Sequence, residues 1–278
     1  MVLKRVIVLN VAPTGSAVLN AADPNVVAMA ARCPGSVVFF AQDGQHPVIK
    51  THLAQGKRVV YVQDGDIVCA ERGFEKRLPL SRVPITHKGL IGFQVENAMA
   101  AVAAAWALGI DPATIRQGLA RFVNDADSAP GRFNLFNYRG ATIIADYGHN
   151  PDAIQALVDA VGNMPAPPGS RRTVVISGAG DRRDEDIRKQ TEILGGAFDR
   201  VVLYQDACQR GRADGEVLAL LRDGLKDARR TREIEEIHGE FLAIDTALDK
   251  LQPGDICLIL IDQVDESLAH IAKRVAEQ

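Results

Sequence analysis

From residue 131 onward the chain repeats one pattern: an apolar, β-branched run stops, and a helix-start signal follows within a few residues. The runs end near Asp146, Ser177, Tyr204, Ile237 and Ile261. Helices are expected to begin near Pro151, Asp184, Asp214, Glu240 and Val264. Strands that alternate with helices cannot pair as hairpins, because each crossover carries the chain back to the end of the sheet where it started. The outcome is a mostly parallel sheet with helices on its faces. The same constraint says where chemistry belongs, since ligands of open α/β sheets sit beyond the carboxyl ends of the strands.

The first of these ends, "ADYGHNPDAI" (Ala145–Ile154), is dense in polar groups. Asn150 has a local explanation as a helix N-cap, and Pro151 as the residue after it. Ile154, Leu157, Val158 and Val161 then share one apolar helix face. Asp146, Tyr147 and His149 have no such account and are candidate site residues. At the second end, "GAGDRRDED" (Gly178–Asp186), Gly178 and Gly180 permit tight turning and close backbone approach. Arg183 stands where a dinucleotide fingerprint needs its third glycine. Asp184, Glu185 and Asp186 suit the first turn of a helix. Arg182 and Arg183 either meet an anion or pair with those acids.

The N-terminal part reads differently. Strands are expected over Arg5–Leu9 and Ser16–Asn20, with "APTG" as a turn between them, then a helix from about Pro24 to Arg32 and a strand over "SVVFFA". Asp64-Gly65 marks a β-hairpin. "LPLSRVPITHKGL" should stay extended, because proline is excluded from helix interiors. "GFQVENAMAAVAAAWALGI" is an Ala-rich helix closed by Gly109, and Asp111-Pro112 opens another that runs to about Phe122. The polar stretch Asn124–Gly131 is taken as the domain boundary, giving domains 1–129 and 130–278. Gln94 and Asn97 lie three apart on one helix face; their amides suit a nucleobase edge or form a helix-start polar pair. Arg132, just past the boundary, either reaches a phosphate across an interdomain cleft or is a surface charge.

Several classes are set aside. A net charge of −3 over 278 residues gives no field to recruit nucleic acid or an anionic membrane. No apolar run approaches the ~18 residues of a membrane span. Cys33, Cys69, Cys208 and Cys257 form no C-x-x-C pair, as expected of free thiols in a reducing cytoplasm. H-E-x-x-H, G-x-S-x-G and G-x-x-x-x-G-K-[ST] do not occur.

In order along the chain, "LKRVIV", "AVLNAADP", "GFQVENAMAA", "APGRFNLF", "DYGHNPDAI" and "GAGDRRDED" resemble the Mur ligase family. "GRFNLF", "GDRRDED" and "RGRADGE" point to the branch that makes cyanophycin. The resemblance implies an α/β chain: part of a Mur ligase central domain, followed by a Rossmann-like C-terminal lid domain with a mostly parallel sheet. It implies ATP-dependent amide ligation through an acyl phosphate, with ATP and Mg2+ as cofactors and a nucleotide and a cyanophycin-like peptide as partners. In that branch arginine is joined to the β-carboxylate of an aspartyl backbone. Carried over by residue, Asn97 would contact adenine, with Gln94 beside it where the family has asparagine. Arg132 would reach the ATP phosphates, and Asp146 would hold the ribose. His149 would face nucleotide and substrate, Asp181 and Arg183 the amino-acid substrate, and Lys4 would be the carbamylated magnesium ligand.

The family's phosphate loop and its magnesium-binding glutamate and histidine precede the "LKRVIV" motif. The expectation is therefore a C-terminal portion or truncated homologue of such a ligase, inactive by itself. The alternative is a stand-alone, non-catalytic nucleotide- or polymer-binding module that acts with a partner chain. Uncovered apolar surface around "KRVIVLN" is expected to drive homo-oligomer formation.

Overall fold

The computed structural model describes residues 2–205 and 210–277. The chain forms two compact units, Met1–Val123 and Asn124–Gln278.

The first unit runs α1 (Val2–Leu9), β1 (Ser16–Asn20), α2 (Pro24–Val27), β2 (Ser36–Asp43), α3 (Pro47–Ala54), β3 (Val59–Gln63), β4 (Asp66–Glu71), β5 (Phe74–Pro79), α4 (Gly92–Ala107) and α5 (Pro112–Arg121). Its sheet has the order β1-β2-β3-β4-β5, parallel through β3 and antiparallel beyond it. The direction changes at Asp64-Gly65, where both residues take positive φ (52° and 79°) and turn the chain back as a hairpin. Successive strand residues feed opposite faces. Phe39, Val59 and Tyr61 pack with Val8, Met29 and Ile49 on one side. Val38, Phe40 and Val60 pack with Val95, Met99 and Val102 of α4 on the other.

Three expectations for this unit change. Arg5–Leu9, expected as a strand, lies in helix α1. No strand of the sheet pairs with it, and a helix closes its own backbone hydrogen bonds where a lone strand leaves them open. The segment after β5 is not extended but forms two 3-10 turns, Leu80–Arg82 and Pro84–Thr86. Pro84 fits because it opens its turn, where no N–H is needed. Buried Thr86 then ties the segment together: its Oγ1 donates to the Val83 carbonyl (2.8 Å) and accepts from the Gly89 N–H (3.2 Å). The helix expected from Pro24 to Arg32 breaks after Val27 and resumes as a 3-10 turn at Ala30–Arg32.

The second unit runs β6 (Asn134–Tyr138), β7 (Ala141–Asp146), α6 (Pro151–Asn163), β8 (Arg172–Ile176), α7 (Asp184–Gly195), β9 (Arg200–Gln205), α8 (Glu216–Gly224), β10 (Glu233–His238), α9 (Glu240–Leu248), β11 (Ile256–Leu260) and α10 (Val264–Ala276). The sheet order is β10-β9-β8-β11-β7-β6, parallel except for β6, an antiparallel edge strand that the strand–helix period did not reveal. Ile143, Ala145, Val175, Val202 and Ile259 bury against α9 and α10. The alternate residues Ile144, Val174, Leu203 and Leu258 are equally buried on the opposite face. A sheet buried on both faces explains why its strands read as continuous apolar runs.

The connections from β8 to β9 to β10 build outward. The chain then returns to insert β11 between β8 and β7. That reversal falls at the carboxyl ends of β7, β11 and β8, the place where open sheets of this kind hold ligands. Gly178 lets the turn after β8 lie close: a Cβ there would sit 2.7 Å from Val217 Cγ1 of α8.

Among the described residues, no helix is long and apolar enough to cross a membrane. Cys33, Cys69 and Cys257 are free; burial pushes the Cys69 thiol up to about 11 and the Cys257 thiol to about 12. Cys208 lies outside the described residues.

A strand-end cluster as the candidate functional site

Asp146 ends β7 and is 8% exposed. Its Oδ2 accepts the Phe133 N–H at 2.9 Å, and its carbonyl accepts the Ile261 N–H at 3.0 Å. Burial pushes the carboxyl up to about 6, against the pull of the Phe133 N–H and the Arg132 charge. The 131–134 segment is stitched onto the strand end. The Gly131 carbonyl accepts the Tyr147 N–H (2.8 Å), the Gly131 N–H donates to Asn134 Oδ1 (2.7 Å), and Asn124 donates to the Arg132 carbonyl. Arg132 is thereby placed, exposed, beside Asp146, so the structure brings these two candidate residues together.

His149 follows in the same loop. Its ring meets Tyr147 edge-on, with centroids 4.0 Å apart. Its Nε2 is buried without a hydrogen-bond partner among the described residues and lies 3.7 Å from Asp262 Oδ1. Burial holds the imidazole below its ordinary range; Asp262 opposes that shift, while Arg210 and Arg182 add to it. The ring is therefore neutral at physiological pH and has an unengaged nitrogen.

Asp181 joins this group through Arg210, whose guanidinium spans Asp181 (3.4 Å) and Asp262 (3.1 Å) and also bonds Tyr147. Arg212 fastens the loop that carries Asp181, donating to the Gly180 carbonyl at 2.7 Å and the Arg182 carbonyl at 2.6 Å. Arg183 takes the other of its two possible roles. It is 72% exposed and paired with Glu185 and, in bidentate fashion at 2.9 Å, with Asp186 of its own helix. Neither Asp181 nor His149 is among its partners.

In the first unit, Asn97 Nδ2 donates to Gln94 Oε1 at 3.1 Å. Gln94 is buried and Asn97 exposed, so Gln94 supports the amide of Asn97. Lys4 is exposed on α1, and among the described residues no three His, Cys, Asp or Glu side chains converge as a metal site would require.

Sequence reasoning did not single out Arg210, Arg212, Asp262 or Glu240. Asp262 stands just past the end of β11, so the strand-end rule that flagged Asp146 was a signal for it as well. The two arginines lie within "RGRADGE", used above only as a branch marker.

Residues 131–260 match the family described as Mur ligase, glutamate ligase domain. Over 94% of its length the chain is 36% identical to cyanophycin synthetase of Crocosphaera subtropica, and it spans 30% of that protein. A murein peptide ligase from Psychrobacter arcticus superposes over 100% of this chain and 54% of its own, with a TM-score of 0.64 at 13% identity. E. coli FolC in complex with ADP covers 91% of this chain and 51% of its own, with a TM-score of 0.61 at 20% identity. The fold is thus of Mur ligase type, and residues 131–260 belong to the Mur ligase family as its C-terminal domain. Within that family, nearly the whole chain is homologous to the C-terminal part of cyanophycin synthetase.

Proposed function

We propose that this chain is the Mur-ligase-like portion of an ATP-dependent amide ligase that joins arginine to the β-carboxylates of a poly-aspartate backbone. The observation that carries the reading is the cluster Asp146, His149, Asp181, Arg210 and Asp262 around the strand-order reversal of a Mur ligase C-terminal domain. In the reaction, ATP phosphorylates a carboxylate, and the arginine amine attacks the acyl phosphate. Phosphate leaves as the amide forms, and the amine gives up a proton.

Each residue has a part in that scheme. Asp146, ionised at neutral pH, accepts the ribose hydroxyls, and exposed Arg132 meets phosphate oxygens. In the first unit by itself, Asn97, held by Gln94, presents an amide of the kind that reads an adenine edge. His149 Nε2, neutral and unengaged, is suited to take the proton of the incoming amine. Asp181 attracts a cationic amino acid, and Arg183 anchors the start of α7. Mg2+ does not fit the described residues, including the surroundings of Lys4, because no three His, Cys, Asp or Glu side chains converge among them.

No phosphate-loop sequence occurs in these 278 residues. Phosphoryl transfer depends on such positioning, so by itself this chain binds without turnover. Exposed Leu3, Val6, Ile7 and Leu9 on α1 supply an apolar face for self-association, which sedimentation would register as a species heavier than one chain.

The test is calorimetry with Mg-ATP and then with a β-Asp-Arg peptide, with NMR on the loops after β7 and β8. Saturable shifts at Asp146 and His149 without phosphate release are expected. Loops that respond to neither ligand would sink the reading, and turnover by the isolated chain would sink its division of labour.

A further inference from the structure

Glu240 opens α9 directly after β10 and is 1% exposed. A buried carboxylate needs donors on its lone pairs. Here the described donors come from one place, the stretch from the end of β11 into α10. Oε1 accepts the Asp262 N–H at 2.9 Å and the Ser267 hydroxyl at 2.6 Å. Oε2 accepts the Gln263 N–H at 3.1 Å and the Gln263 side-chain amide at 3.4 Å. Asp262, held by its backbone in this way, presents its carboxylate to His149 Nε2 (3.7 Å) and Arg210 (3.1 Å).

We propose that Glu240 is a positioning residue of the strand-end site: by fixing the backbone of Asp262 it sets the acidic partner of His149 and Arg210. The proposal rests on reading that cluster as the functional site. α10 does not need Glu240 to close its first turn, because the Ser267 N–H already reaches the Gln263 carbonyl at 2.8 Å. A glutamine at 240 would fill the same volume. Its amide hydrogens would face the Gln263 donors, however, and donor against donor pushes the turn away.

The groups that face His149 are the Tyr147 ring, Asp262, Arg210, Arg182 and Asp181. Glu240 is not one of them, so its influence on the imidazole travels through Asp262. This gives a readout that a merely structural role would not move. The imidazole of His149 is titrated by NMR in the full chain, without nucleotide or peptide. His52 of the first unit, bonded to the Val37 carbonyl, serves as reference. Asp262→Asn removes the opposing charge and is expected to lower the His149 midpoint by about one unit. Glu240→Gln is expected to reproduce most of that shift, and the double variant to go no lower than Asp262→Asn alone. A His149 midpoint unmoved by Glu240→Gln, whatever happens to the melting temperature, overturns the proposal. So does a shift that adds to that of Asp262→Asn. If Glu240→Gln does not fold, Ser267→Ala decides, since it leaves the charge in place and loosens its hold. A smaller shift of the same sign supports the proposal, and no shift overturns it. Because no ligand enters the measurement, a failure of the nucleotide and peptide titrations would leave this result standing.

Discussion

Thr86 in the first unit and Asp146 in the second are both buried polar side chains, and the protein treats them differently. Thr86 both donates and accepts within its own turn. Asp146 is left with too little: one backbone N–H and a nearby arginine do not offset its burial, and its carboxyl rises to about 6. The histidines repeat the contrast. His52 Nε2 lies 2.9 Å from the Val37 carbonyl, whereas the buried His149 Nε2 has no hydrogen-bond partner among the described residues. In the first unit these buried polar groups serve the fold. At the strand ends of the second they are held at a cost to stability, and under-compensated polar groups in a crevice are what a ligand site requires.

The sharpest test of that contrast is Asp146→Asn. The folded value near 6 lies above the ordinary 3.8, so the native state keeps its proton longer than the unfolded chain does. The group's contribution is intact below about pH 4 and is lost as pH rises through 6, which leaves a deficit of about 3 kcal/mol at neutral pH. Asparagine keeps an acceptor for the Phe133 N–H and removes the charge. Urea unfolding at pH 7 is expected to show stabilisation approaching 3 kcal/mol, shrinking toward zero at pH 4. A destabilised variant at pH 7 would break the comparison outright.

Thr86→Val should move the other way, at every pH. It removes the hydroxyl's bonds to the Val83 carbonyl and the Gly89 N–H, each of which keeps a backbone partner, and is expected to cost about 1.5 kcal/mol. The chain's one tryptophan, Trp106 on α4, reports unfolding of that unit by fluorescence. A neutral outcome would mean that buried polar groups are no more structural there than in the second unit.

The smallest effect separates roles within a single loop. Asn150 Oδ1 accepts the Ala153 N–H at 2.9 Å, an ordinary cap one residue from His149. Asn150→Ala is expected to cost about 1 kcal/mol, read as a shift in the urea midpoint. A gain in stability would place Asn150 with Asp146 among residues held against the fold.

Much of this was legible in the sequence for reasons local to each segment. The β7, β8 and β11 runs, the N-cap at Asn150 and the cap at Asp111, whose Oδ1 accepts the Ala113 N–H at 2.9 Å, are set by periodicity and near-neighbour hydrogen bonds. Asp146 and His149 stood out because a strand end has no structural use for them. The misreadings share a cause. Arg5–Leu9 has strand composition, but a strand needs a partner, and whether one exists is not a property of those five letters. β6 was hidden because an antiparallel edge strand breaks the strand–helix period that revealed the others. Arg183 is not a misreading: the sequence offers it an anion or the acids of α7, and the coordinates pair it with those acids.

By itself the sequence determined the alternating α/β character of residues 131–278, the helix caps, the hairpin at Asp64-Gly65 and the polar strand ends, because each depends on residues a few positions apart. The tertiary structure alone decided that β11 slots between β8 and β7. That insertion places Asp262 against His149, draws Arg210 across Asp181 and Asp262, and puts the carboxylate of Glu240 beneath the turn that carries Asp262. These residues are distant in the chain, and what brings them together is the order of strands in a sheet, a choice made by packing the whole core rather than by any one segment.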